Sequence, residues 1–181
     1  MMPERIYLDH NATAPLLAVA RAAMVAALDL PGNASSVHAE GRAARAAIEQ
    51  ARGQVAALMG VRPRDITFTS GGTEAANLVL SPALSDGGGK PLTRLFVAAG
   101  EHACVLQGHR FPVEAVTVLP LKADGQIDLA ALKSLLAEAE GERVLLALQV
   151  ANNETGVIQP VAEAAALIHE AGGLVVCDAV Q

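Results

Sequence analysis

Residues 143–180 read RVLLALQVANNETGVIQPVAEAAALIHEAGGLVVCDAV, and the order of patterns within them decides the fold. RVLLALQVA is apolar at nearly every position, as a strand is when both of its faces are covered. PVAEAAALIHEAGG carries its apolar residues at helical spacing and closes on Gly172 and Gly173. LVVCDAV then returns to the continuous apolar run of a covered strand. Strand, helix and strand in this order predict an α/β fold with a mostly parallel sheet flanked by helices on both faces.

The same alternation runs upstream. RIYLD (5–9), RDITFTS (64–70), RLFVAA (94–99) and AVTVLPL (115–121) read as strands. PLLAVARAAMVAALDL (15–30) and GRAARAAIEQARGQVAALMG (41–60) read as helices, the second stopping at Gly60. SGGTEAANLVL (70–80) turns from a strand directly into a helix, EHACVLQGHR (101–110) makes a short one, and DLAALKSLLAEAE (128–140) starts on Asp128 as its cap. PGNASSVH (31–38) and SPALSDGGGKP (81–91) are loops by their Pro, Gly and Ser content.

The chain has 181 residues, 52% of them hydrophobic, enough for one domain with a substantial core. Its net charge of −6, from 19 acidic residues against 13 Lys plus Arg, lacks the basic excess of a nucleic-acid binder. Arg42, Arg45 and Arg52 fall among alanines on one helix and read as a solvated face. Cys104 and Cys177 make neither a CxxC nor a metal-ligand spacing, and no metal site is expected. No signal peptide precedes RIYLD, and no apolar run reaches the ~18–20 residues of a membrane span. A soluble protein of the reducing cytoplasm is the expectation, with no membrane partner.

In a parallel α/β sheet, ligands collect at the carboxyl ends of the strands, and polar clusters follow four of the strands here. Ser70 to Thr73 lie between a strand and a helix, where bare backbone N–H groups and the positive helix end can surround a phosphate. A tight turn with Thr73 capping the helix is an equal reading. His102, after Glu101, can stack on a planar ligand or move protons near neutral pH, or serve only structure. Asn152, Asn153 and Glu154 suit either a turn or an orienting role. Asp178, after an apolar run, should be desolvated and so needs a cationic or strong-donor partner: a protonated pyridine nitrogen or a structural Arg or Lys.

DHNATAP (9–15), GNASSVH (32–38), FTSGGTEAANL (68–78), EHACVL (101–106), ANNETGVIQP (151–160) and CDAVQ (177–181) together resemble the cysteine desulfurases, the NifS/IscS-like members of the class V aminotransferases. Six motifs in family order span the whole chain. The resemblance implies a PLP-dependent transferase of fold type I, with residues 1–14 a segment of the small domain and 15–181 an incomplete large domain. Pyridoxal 5′-phosphate is the implied cofactor. By motif, Gly72 and Thr73 would bind its phosphate, and His102 would lie over its ring and assist proton transfer. Asp178 would pair with the ring nitrogen, and Gln181 and Asn153 would meet the phenolic oxygen. Asn153 would also touch the substrate carboxylate, and Asn11 would lie near the substrate.

The implied reaction converts L-cysteine to L-alanine and passes sulfur on as an enzyme persulfide, in a homodimer that serves a sulfur-acceptor protein and iron–sulfur cluster assembly. The family takes its Schiff-base lysine and its persulfide cysteine from segments after the one matching CDAVQ, so these residues are expected to represent an amino-terminal half. Lys90, Lys122 and Lys133 lack the context of that lysine. Cys104 and Cys177 read as small buried hydrophobes; Cys104 is two residues from His102, a spacing at which helical side chains do not face each other. A non-catalytic truncated or split chain that needs a partner half, and a related class V aminotransferase or selenocysteine lyase, are the alternatives.

Overall fold

The structure, a computed structural model, describes residues 5–87 and 89–181. Residues 1–4 of the segment 1–14, and Gly88 in the loop 81–91, lie outside the described residues. The chain divides into two compact units, Met1–Phe68 and Thr69–Gln181.

In the first unit, helix α1 spans Ala18–Leu28 and α2 spans Ala39–Met59. His38 caps α2 by accepting from the Gly41 N–H, and Gly60 ends it in the left-handed conformation at φ 67°, the reason for glycine there. The apolar side chains Val19, Met24 and Leu28 of α1 are all exposed, and the helix has no buried residue. RIYLD is not a strand: the segment is irregular and exposed. RDITFTS is likewise outside any strand, although Ile66 has extended dihedrals (φ −100°, ψ 129°). An extended segment becomes a strand only by hydrogen bonding to a neighbour, and no strand among the described residues pairs with either.

Arg52 departs from the solvated face expected of it. Its guanidinium donates to the Ile66 carbonyl at 2.6 Å, meets Glu49 at 3.1 Å and lies 5.0 Å from the Phe68 ring centroid. It therefore ties α2 to the segment that follows it.

The second unit is the predicted α/β layer. Strands β1 (Arg94–Ala98), β2 (Val116–Leu119), β3 (Val144–Gln149) and β4 (Leu174–Asp178) form one sheet in the order β2-β1-β3-β4, every pair parallel. Four helices accompany it: α3 (Gly72–Val79), α4 (Ala103–Leu106), α5 (Leu129–Glu138) and α6 (Val161–Glu170).

Side-chain alternation along the strands makes two cores. Phe96, Leu146 and Leu148 point to the face where Leu132 of α5 and Ala164 and Ile168 of α6 pack. Leu95, Val97, Leu145 and Ala147 point to the other, against Leu80, Val105 and Phe111. All six residues of β3 are buried, which explains why its sequence is apolar without alternation. β4 is half-exposed because it is an edge of this sheet.

Local signals fix the connections. Asp128 caps α5, its carboxylate accepting from the Ala130 and Ala131 N–H groups at 2.8 and 3.1 Å. A Cβ at Gly173 would lie 2.5 Å from the Val144 carbonyl and 2.8 Å from Ile168, so α6 can turn into β4 against the sheet only with glycine there. Gln159 is buried; it accepts from the Ile127 N–H at 2.9 Å and donates to the Gly125 carbonyl at 2.9 Å, joining the loop before α5 to the loop before α6.

Candidate active site at the carboxyl edge of the sheet

Because the strands are parallel, the segments that follow β1, β3 and β4 emerge at one edge. β1 leads to Gly100, Glu101 and His102, β3 to Asn152 and Asn153, and β4 ends on Asp178 with Gln181 three residues on.

These segments are bonded to one another. Gln149, the last residue of β3, pairs in register with Asp178, and the Val150 N–H donates to the Asp178 carbonyl at 2.8 Å. Glu101 is buried, and its Oε1 accepts from the Gln149 N–H at 2.8 Å. The side-chain amides of Gln149 and Asn152 both donate to the Gly100 carbonyl, at 2.7 and 2.8 Å. The turn carrying His102 is thus held to the end of β3 through three hydrogen bonds.

Asn152 shapes the loop beyond β3. Its Oδ1 accepts from the Glu154 and Thr155 N–H groups, both at 2.9 Å, closing a turn, while its Nδ2 reaches Gly100. Asn152 is therefore committed to the turn, and Asn153, half-buried beside it, donates to Glu154 Oε1 at 2.9 Å.

His102 is the N-cap of α4, with extended dihedrals (φ −63°, ψ 152°), and its Nδ1 accepts from the Cys104 N–H at 3.2 Å. An Nδ1 used as acceptor leaves the ring proton on Nε2. The same Nδ1 lies 3.0 Å from Cys104 Sγ, so these two side chains do meet. The expectation from helical spacing fails because a cap residue is not helical and folds its side chain back over the first turn. The pair is nevertheless not an activated nucleophile. Burial, then the charges of Asp178 and Glu101, push the Cys104 thiol up, away from the thiolate. Cys177 is exposed rather than buried, since it lies on the edge strand.

Asp178 is half-buried, not fully desolvated as its apolar run suggested, again because β4 is an edge. Its Oδ1 accepts from the Val180 N–H at 3.0 Å. Glu101 is the more enclosed carboxyl: burial pushes it up to about 7, the Gln149 hydrogen bond pulls the other way, and the charge of Asp178 adds to the rise.

Gly72 and Thr73 occupy the first turn of α3, which packs beside α4. Gly71 is the N-cap, and no side chain caps this helix, so Thr73 is not the cap that one reading allowed. A Cβ built at Gly71 or Gly72 meets nothing within 4 Å. A helix start with no side-chain cap and with room above its glycines is the kind of place that can take an anion. The Glu74 carboxylate reaches back to accept from the Ser70 N–H at 2.6 Å, just before this helix start. Asn11 belongs to the first unit, in a turn closed by the Thr13 N–H to the Asp9 carbonyl at 3.2 Å. Of the lysines, Lys122 pairs with Asp124 at 2.9 Å.

Sequence reasoning passed over Glu101, Gln149 and Gln159. For Gln149 the signal was a polar residue at the end of an apolar run.

The chain is similar to known proteins in sequence and in fold. An IscS-like cysteine desulfurase from Mycobacterium tuberculosis is 40% identical over 183 residues, covering 97% of this chain and 46% of that protein. The solved NifS-like protein from Rickettsia africae superposes with a TM-score of 0.83 at 31% identity, over 96% of this chain and 47% of its own. SspA, solved in complex with cysteine, gives a TM-score of 0.77 at 27% identity, over 97% and 50%. The chain spans about half the length of the curated relatives it matches. The profile of the aminotransferase class-V family matches residues 6–181, and the chain belongs to that family.

Proposed function

We propose that this chain forms one wall of the pyridoxal 5′-phosphate pocket of a cysteine desulfurase acting on L-cysteine. The observation that carries the reading is the convergence of His102, Asn153 and Asp178 at adjacent strand ends of one parallel sheet, in a chain similar to cysteine desulfurases. The relative solved with cysteine supports the substrate.

The residues present fit the cofactor. The uncapped start of α3, with open space over Gly71 and Gly72, suits a phosphate, and Gly72 and Thr73 would hold it. The carboxylate of Asp178 would accept from a protonated ring nitrogen and hold that proton in place. His102, exposed at the start of α4, would lie over the ring, and its Nε2 proton is the one available for transfer. Gln181 and Asn153 would donate to the phenolic oxygen, and Asn153 would orient the substrate without adding charge; for Asn11 the place near the substrate rests on the DHNATAP resemblance alone. When bound, the cofactor supplies an electron sink for the substrate's bond cleavage.

In the whole protein, residues 1–14 would belong to a small domain, and the Schiff-base lysine and persulfide cysteine would come from other segments. A homodimer delivering sulfur to an acceptor protein for iron–sulfur clusters, in the cytoplasm, completes the proposal. Full-length protein incubated with pyridoxal 5′-phosphate and L-cysteine should yield alanine and, with a thiol reductant, sulfide in equal amounts. Alanine formed from selenocysteine alone, or no alanine at all, would overturn it.

A further inference from the structure

Glu101 plays no part in that chemistry, yet it is the most enclosed ionisable group at the edge. It is 6% exposed, and Oε2 has no hydrogen-bond partner among the described residues. Oε1 bonds to the end of β3, and the next residue in the chain is His102. The charged group that acts on it is Asp178 of β4, and the thiols of Cys104 on α4 and Cys177 on β4 feel its charge in turn. A second anion enclosed beside Asp178 with an unmet oxygen would be costly, and a proton on that oxygen removes the charge.

We propose that Glu101 is a positioning residue that works as a neutral acid: Oε1 clamps the His102 turn to β3, and a proton on Oε2 spares Asp178 a second enclosed anion beside it. The clamp is independent of the cofactor, whereas its benefit to Asp178 rests on the cofactor reading above. Neutrality matters there because an ionised Glu101 would compete with Asp178 for the ring-nitrogen proton. Burial and the Asp178 charge both act in the direction the proposal needs.

The test is the carboxyl carbon resonance of Glu101, followed by NMR in the selectively labelled chain without cofactor. The expected midpoint is near 7 in the native chain and lower in Asp178→Asn, where the neighbouring charge is gone. Glu101→Gln, which keeps an acceptor at Oε1, should leave the His102 ring resonances within the native pattern, and Glu101→Leu should displace them. A Glu101 midpoint in the ordinary carboxylate range, or one indifferent to Asp178→Asn, would overturn the neutral-acid role. Unchanged His102 resonances in a folded Glu101→Leu would overturn the clamp. Because no cofactor is present, either failure is separable from failure of the desulfurase reading.

Discussion

Replacing Glu101 by glutamine should change how stability depends on pH, not merely how large it is. A free glutamate loses its proton near 4.5; in the fold Glu101 keeps it to about 7, chiefly because it is buried. Between those values the unfolded chain has released the proton and the folded chain has not, so the folded state binds more protons and rising pH favours unfolding. The group is harmless below about 4.5 and exerts its full penalty above about 7. Holding the proton from 4.5 to about 7, at about 1.4 kcal/mol per tenfold in proton concentration, makes that penalty on the order of 3 kcal/mol. Glutamine keeps the oxygen that accepts from the Gln149 N–H but has no proton to lose. Urea unfolding of both proteins from pH 4.5 to 8.5 supplies the comparison. The two should be similar in stability at the acid end, and glutamine should gain steadily until the curves run parallel above about pH 8. A difference that does not vary with pH, or one favouring glutamate at high pH, would refute the reasoning.

Gln159→Ala leaves the buried Ile127 N–H and the Gly125 carbonyl without partners and should cost about 1–3 kcal/mol in urea unfolding, whereas surface Gln126→Ala costs much less. Gly173→Ala forces its Cβ against the Val144 carbonyl and should destabilise by about 1–3 kcal/mol, read as a lower thermal midpoint, while Gly141→Ala, with no neighbour in the way, is strained only by its positive φ of 87°. Leu146→Ala, fully buried in the core shared with α5 and α6, should cost about 3–5 kcal/mol by the same unfolding assay.

Where a residue's environment is set by its own element, the sequence revealed it. β3 could be read from an unbroken apolar run because a strand covered on both faces has no polar side to alternate with. Asp128, Gly60 and Gly172 marked helix ends because capping and left-handed turns are local chemistry. RIYLD and RDITFTS misled for the opposite reason: β-branched and aromatic composition describes a segment suited to pairing, and the partner is not in the segment.

The edge residues divide in the same way. The placement of His102, Asn153 and Asp178 at strand ends was legible because they follow apolar strands, and parallel pairing brings such positions to one edge. Glu101 was hidden, since an acid beside a histidine looks like surface, and its burial arises only where β1 and β3 lie side by side with the Gln149 N–H aimed at it. The meeting of His102 with Cys104 was misjudged because spacing rules for a helix interior do not hold at its cap. The half-exposure of Asp178 could not be read at all, for it depends on β4 being an edge of the sheet, which strand order alone decides.

The proposed pocket stands or falls on Asp178. In full-length protein supplied with pyridoxal 5′-phosphate, Asp178→Asn preserves size and hydrogen-bonding shape but cannot hold a proton on the ring nitrogen. Alanine production from L-cysteine should then fall at least about a hundredfold in kcat, equivalent to about 2.7 kcal/mol of transition-state stabilisation, with the fold intact by thermal midpoint. A variant whose kcat stays within about twofold of the native protein would contradict the account.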